Sequence, residues 1–215
     1  MEKTIANTYK NAAIGTDEEI FESIHQKSKN IAIYQRDLSD LKEELSLLTN
    51  QKIEFRSNGG IYEITQTLKA FFGQNFPTSL ALLSDIINLL ELFERTTKAP
   101  TMRLLLATVE SSMCRKFHTD VNDIRLLCTY YGPGTVWLPD EAVNYQALKA
   151  RKSNEEIVRD QKHIQHVNTG DVVLLKGALY EDANPILHRS PSNETPGTNR
   201  LLLRIDTEAF LKVWA

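Results

Sequence analysis

The stretch Cys114 to Pro139, CRKFHTDVNDIRLLCTYYGPGTVWLP, decides how the chain is read. At its centre Arg125 to Tyr131 is a run of apolar and β-favouring residues that ends at the tight-turn sequence Gly132-Pro133-Gly134-Thr135. His118 and Asp120 stand just ahead of that strand. On an extended segment side chains alternate between faces, so residues two apart point the same way and can grip one cation together. A second histidine, His188, lies far downstream. Folded alongside, it completes a set of two imidazoles and one carboxylate on one side of a metal ion, which leaves the opposite coordination positions open.

Working outward, the residues after Ala99-Pro100 read as short strands separated by turns: Met102 to Val109, Arg125 to Tyr131, Ile164 to Val167, Val172 to Lys176 and Leu201 to Ile205. Lys149 to Lys162 is polar and charged, a surface helix or loop, and Pro191 to Asn199 reads as a flexible turn. Ahead of Ala99 the pattern is mainly helical. Thr16 and Glu19 have capping-box spacing, so a short helix is expected near Asp17. Asn30 to Arg36 alternates as a half-buried strand, Lys52 to Arg56 is a further strand candidate, and Ser39 is placed to cap the helix that carries Leu41, Leu45 and Leu48. Ile61 to Phe72 and Thr78 to Thr97 repeat at helical spacing. The second has so wide an apolar surface that it should pack on a sheet, with Asp85, Asn88, Glu91 and Glu94 as a strip for water.

Helices first and strands second fit an α+β chain whose strands close into a sandwich or jelly roll backed by the helices. A single domain is expected, with residues 1–98 mainly helical and 99–215 a mainly β metal-binding core. The formal net charge of −3, with no basic stripe, argues against nucleic acid as a partner. No apolar window is long enough for a membrane span, and no secretory pattern opens the sequence. The two cysteines, Cys114 and Cys128, suit a reducing compartment, and a cytoplasmic location is expected.

The order of parts carries a resemblance. His118 and Asp120 precede one strand, Gly170-Asp171 opens a later one, His188 follows, and Arg200 begins the next. This resembles the double-stranded β-helix (cupin-like) dioxygenases that use iron(II) and 2-oxoglutarate. At finer grain the chain is similar to a bacterial domain family of unknown function that carries FHxD, YxGPGTxWLP, TGDVxLLKG, HRSP and RLLLxID. Here those blocks are Phe117 to Asp120, Tyr130 to Pro139, Thr169 to Gly177, His188 to Pro191 and Arg200 to Asp206. That family is often associated with zinc-homeostasis GTPases, which implies a link to such a partner.

The resemblance implies that His118, Asp120 and His188 hold iron and that a basic residue after the distal histidine binds the far carboxylate of 2-oxoglutarate. Arg200 is favoured for that role, because a guanidinium meets a carboxylate through two parallel hydrogen bonds. Arg204 lies on the same strand face and competes with it. Tyr130 and Lys176 are further cosubstrate contacts. Trp137 either walls a substrate pocket or is a core aromatic seating the turn, and Arg189 either binds an acidic substrate or pairs with a neighbouring carboxylate. His163 and His166, among polar residues, are read as solvent-facing, and Asp171 as a turn residue. The expected activity is hydroxylation of an unknown small molecule or protein side chain. The alternative is a non-catalytic cupin-like metal-binding protein serving zinc handling, which Cys114 near His118 would favour.

Overall fold

The computed structural model describes residues 9–109, 114–181, 184–191 and 199–208. In chain order its strands are β1 (Ala12–Gly15), β2 (Ile31–Tyr34), β3 (Glu54–Gly59), β4 (Met102–Val109), β5 (Ile124–Tyr131), β6 (Val136–Leu138), β7 (Gln165–His166), β8 (Val172–Lys176), β9 (Leu187–Arg189) and β10 (Arg200–Thr207). The α-helices are α1 (Lys42–Leu48), α2 (Ile61–Asn75), α3 (Leu80–Thr97), α4 (Tyr145–Lys149) and α5 (Asn154–Ile157). The helix expected near Asp17 is a 3-10 segment, Glu18–His25, and Asp17 rather than Thr16 caps it, accepting from the Glu19 amide at 2.9 Å. The turn expected at Pro191 to Asn199 lies largely outside the described residues.

Seven strands form the larger sheet in the order β1-β2-β8-β5-β10-β4-β3, and β7-β6-β9 form a smaller one. Only β1 and β2 run parallel; the other neighbours are antiparallel. A backbone bridge between His118 and His188 extends the small sheet beyond β9. The helix-rich first half therefore supplies strands to both edges of the large sheet, so the change of pattern at Ala99 is a boundary in the chain and not in space. This is the double-stranded β-helix architecture, an α+β fold with a helical layer on one side.

Both faces of the large sheet are buried, and alternation along each strand sorts the residues between them. Leu126, Cys128 and Tyr130 of β5, Val172 and Leu174 of β8, and Leu201, Leu203 and Ile205 of β10 pack under α2 and α3 with Leu68, Phe72, Ile86 and Phe93. Leu127, Val173, Leu175 and Leu202 point the other way, into the space between the sheets, where they meet Trp137. Full burial of each such aliphatic side chain stabilises the fold by about 1.5–3 kcal/mol. A third cluster, with Phe117, Val136, Leu187 and Ile157, covers the outer face of the small sheet.

Helix α3 is fixed at two points. Glu44 of α1 accepts from the amides of Ala81 and Leu82, which satisfies donors that a helix start leaves without partners. Asp85, expected on the watery side, instead faces the sheet. It holds the Arg36 guanidinium bidentately at 2.5 and 2.9 Å and accepts from the Tyr130 hydroxyl at 2.7 Å. Burial opposes a charged Arg36, but the Asp85 hydrogen bonds outweigh it and raise its pKa. The exchange Asp85→Ala would strand that guanidinium, and an expected loss of about 3–5 kcal/mol in urea denaturation follows. Metal affinity should be unchanged, because the pair lies on the helix side of the sheet.

Candidate metal centre

The site forms where β9 meets the segment ahead of β5. His118 and His188 exchange two backbone hydrogen bonds of 3.0 Å, which sets their rings side by side, centroids 4.6 Å apart. Asp120 does not sit on a regular strand; it lies in the loop that follows the bridge. That loop is fastened by the end of β8 and the residues after it: the amides of Gly177, Ala178 and Leu179 donate to the carbonyls of Asp123, Asp120 and Asn122 at 2.7–2.8 Å. Gly177 permits this approach, since a Cβ there would collide with the backbone and side-chain oxygens of Asn122. Gly177→Ala is thus expected to push the Asp120 loop away, with a stability cost of about 1–3 kcal/mol and a weaker metal site, read by thermal melting and metal titration.

His118, Asp120 and His188 each offer a ligand atom, and these lie within 4.8 Å of one another. Nδ1 of His118 is 3.0 Å from the Lys116 carbonyl and Nδ1 of His188 is 3.4 Å from that of Ile186. A carbonyl only accepts, so both Nδ1 atoms carry the proton and both Nε2 atoms turn lone pairs toward Asp120, at 3.7 and 3.2 Å. Buried Asp120 Oδ2 has no hydrogen-bond partner among the described residues. Burial of the Asp120 carboxyl is outweighed by the His188 ring and Arg125, which hold its pKa at about 2. Burial and the neighbouring His188 ring lower the His118 pKa, keeping its lone pair available at neutral pH. Two imidazoles whose Nε2 atoms turn toward one carboxylate fit a divalent first-row metal.

Arg125, which sequence reasoning missed, is the support of the site. Its Nη1 meets Asp120 Oδ1 at 2.5 Å and its Nε meets Asp206 Oδ1 at 2.6 Å, and Asn122 adds a third contact to Asp206 at 3.0 Å. Burial opposes its charge, but Asp206 and Asp120 prevail and raise its pKa. The available signal was register: Arg125, Leu127 and Thr129 share the face that looks between the sheets, as do Arg200, Leu202, Arg204 and Asp206 of β10.

One cavity brings His118, His188, Arg125, Arg200, Arg204 and Cys114 together. Arg200 is 3 % exposed, donates to Thr129 Oγ1 at 3.2 Å, and has no hydrogen bond on Nε among the described residues. Burial alone lowers its pKa to about 10, so it is still a cation at neutral pH. It enters the cavity past Gly132, whose φ of +81° and missing Cβ allow contact with Arg200 that any side chain would block. Arg204 is also in the cavity and forms an ion pair with Asp206, its Nε 3.0 Å from Oδ2. Arg189 sits at the rim, over the Phe117 ring and donating to the Ser190 carbonyl.

Other expected contacts lie elsewhere. Tyr130 and Lys176 have the opposite strand parity and face the helical layer: Tyr130 bonds Asp85, and Lys176 donates to the Gln26 carbonyl at 2.9 Å. Neither can reach a ligand at the metal centre. Trp137 is buried between the sheets against Tyr9 and does not line the cavity. His166 is exposed, and Asp171 accepts from Asn168 in its turn.

No helix among the described residues is long and apolar enough to cross a membrane. Among solved structures, a dioxygenase for auxin oxidation from rice superposes with a TM-score of 0.50 at 10% identity, over 91% of this chain and 82% of that one. A full-length Neurospora crassa protein in complex with alpha-KG and 5-formyluracil gives 0.44 at 11% identity over 88% and 77%. A Pseudomonas putida prolyl-4-hydroxylase gives 0.44 at 10% over 88% and 97%. At such identity the likeness to the rice enzyme establishes the fold alone, the double-stranded β-helix. No curated protein matches the sequence. Residues 15–206 match the family model described as protein of unknown function (DUF1826), and the chain belongs to that family.

Proposed function

We propose that this chain is an iron(II)- and 2-oxoglutarate-dependent oxygenase that hydroxylates a small molecule or a protein side chain. The observation that carries the reading is the shared cavity: His118 and His188, whose ligand atoms converge with one from Asp120, line the same space as the buried Arg200. His118, Asp120 and His188 would hold the metal. When bound, iron(II) with 2-oxoglutarate and dioxygen supplies the oxidising power to place an oxygen atom on a C–H bond. Arg200 receives the far carboxylate of the cosubstrate, and burial strengthens that contact. Arg125 keeps Asp120 ionised and aimed. Leu127 and Leu202 form the apolar part of the cavity wall that limits water.

Anaerobic addition of iron(II) and 2-oxoglutarate should produce a weak visible charge-transfer band, followed in air by succinate release. Arg200→Gln should weaken 2-oxoglutarate binding by about tenfold or more while leaving metal affinity unchanged. Equal cosubstrate affinity in the variant would reject the assignment.

A second reading, a non-catalytic protein that binds zinc, is favoured by one feature. Exposed Cys114 lines the same cavity, and a thiolate beside two imidazoles suits zinc. Tight zinc binding that depends on Cys114, with neither the band nor succinate, would select it. A zinc-homeostasis GTPase as partner belongs with this reading, and a cytoplasmic location with either.

A further inference from the structure

The sheet register places a row of arginines beside the metal cavity. Arg56 of β3 and Arg204 of β10 both pair with Leu105 of β4, so the three lie in one row across the sheet. The next row runs Asn58, Arg103, Asp206 and Arg125. Arg56, Arg103 and Arg204 line one groove together with Ser57 and Asn58, and Arg204 also lines the metal cavity, so the two spaces adjoin at that side chain. Exposure falls along the way in, from 67% for the Arg56 side chain through 33% for Arg103 to 26% for Arg204.

No carboxylate lines the outer groove among the described residues, and at the metal cavity Asp120 is already paired with Arg125. The acids nearby are already engaged. Asp206 meets Arg125 and Arg204 through their Nε atoms, with Arg103 at 3.8 Å, while Glu54 pairs with Arg56 at 3.1 Å. The chain as a whole has a net charge of −3, so this concentration of guanidinium runs against its overall sign. A concave basic groove raises the local concentration of anions, and guanidinium forks match carboxylate and phosphate oxygens. Arg204 pairs with Asp206 through its Nε side, which leaves the Nη atoms to face a ligand.

Resting on the oxygenase reading, we propose that the substrate carries an anionic group, a carboxylate or a phosphate, received by Arg204, Arg103 and Arg56 in this groove while its reacting carbon enters the metal cavity. Arg200 and Arg204, equivalent by strand face, then divide the work: the buried one serves the cosubstrate, the one shared between the spaces serves the substrate.

The test uses the full chain, stripped of metal with a chelator and kept without 2-oxoglutarate, so its outcome is independent of whether iron chemistry occurs. Inorganic phosphate and acetate are titrated separately at low salt by calorimetry. At least one should bind saturably, and the tighter of the two names the anionic group. Arg204→Gln should weaken it by about tenfold and exposed Arg56→Gln by about threefold, with Arg204→Lys between them. Arg95→Gln, a surface arginine paired with Glu18 that lines neither space, should stay within about twofold of the parent. Arg56→Gln alters a surface side chain, so it reports even if Arg204→Gln does not fold. Absence of saturable binding, or unchanged affinity in both the Arg204 and Arg56 variants, overturns the proposal.

Discussion

Exchange of His118 or of His188 for alanine should lower the affinity for manganese(II) or iron(II) by a factor on the order of 100 or more, measured by anaerobic titration of chelator-stripped protein. Loss of a residue that merely orients a ligand typically costs about 10–100-fold, and loss of a ligand costs at least as much. Both variants should fold. His118 is partly exposed, and the bridge between the two histidines is made by backbone atoms that alanine retains. An affinity within about threefold of the parent for either variant would show that the ring does not bind the ion.

The second large effect is expected at Arg125. Two buried carboxylates depend on it: Asp120 and Asp206 have side chains only 10% and 2% exposed. Arg125→Met fills the space but leaves both acids short of their cation, and a loss of about 3–5 kcal/mol in urea denaturation is expected. The pairing has a pH signature. The Asp120 carboxyl is held at about 2, below the ordinary 3.8, so its contribution to stability is fully present above the ordinary value and fades as pH falls toward 2. In Arg125→Met that acid dependence should shrink. The double variant Arg125→Met with Asp206→Asn should be less destabilised than the sum of its parts, since one removal spares the other. A loss below about 1 kcal/mol for the single exchange would mean that water, not Arg125, satisfies these carboxylates.

What the sequence disclosed follows from what local pattern can encode. The long apolar strands β4, β5, β8 and β10 were legible because a continuous run of Val, Ile and Leu bounded by turns has few other readings. Strands β1, β6 and β9 are three or four residues long and exist because partners lie beside them, so no local signal marks them. The three candidate metal ligands were found by residue type and order. Misplacement of Tyr130 and Lys176 has a different cause. A sheet buried on both faces shows no alternation between polar and apolar residues, so nothing in LLCTYY or VVLLK says which face looks between the sheets. Arg125 and Asp206 escape notice for the same reason: each looks like the flank of a strand, and only the pairing of β5 with β10 makes them neighbours. Helical periodicity alone turns Asp85 toward water, and a guanidinium from just beyond the end of β2 draws it inward.

The central claim is that His118, Asp120 and His188 surround one ion. Anomalous diffraction from crystals of the full chain grown anaerobically with manganese(II) and 2-oxoglutarate tests it most directly. The account predicts a single strong peak bonded to both Nε2 atoms and an Asp120 oxygen, with the cosubstrate's far carboxylate on Arg200. A peak elsewhere, or none between those side chains at saturating manganese, would contradict it.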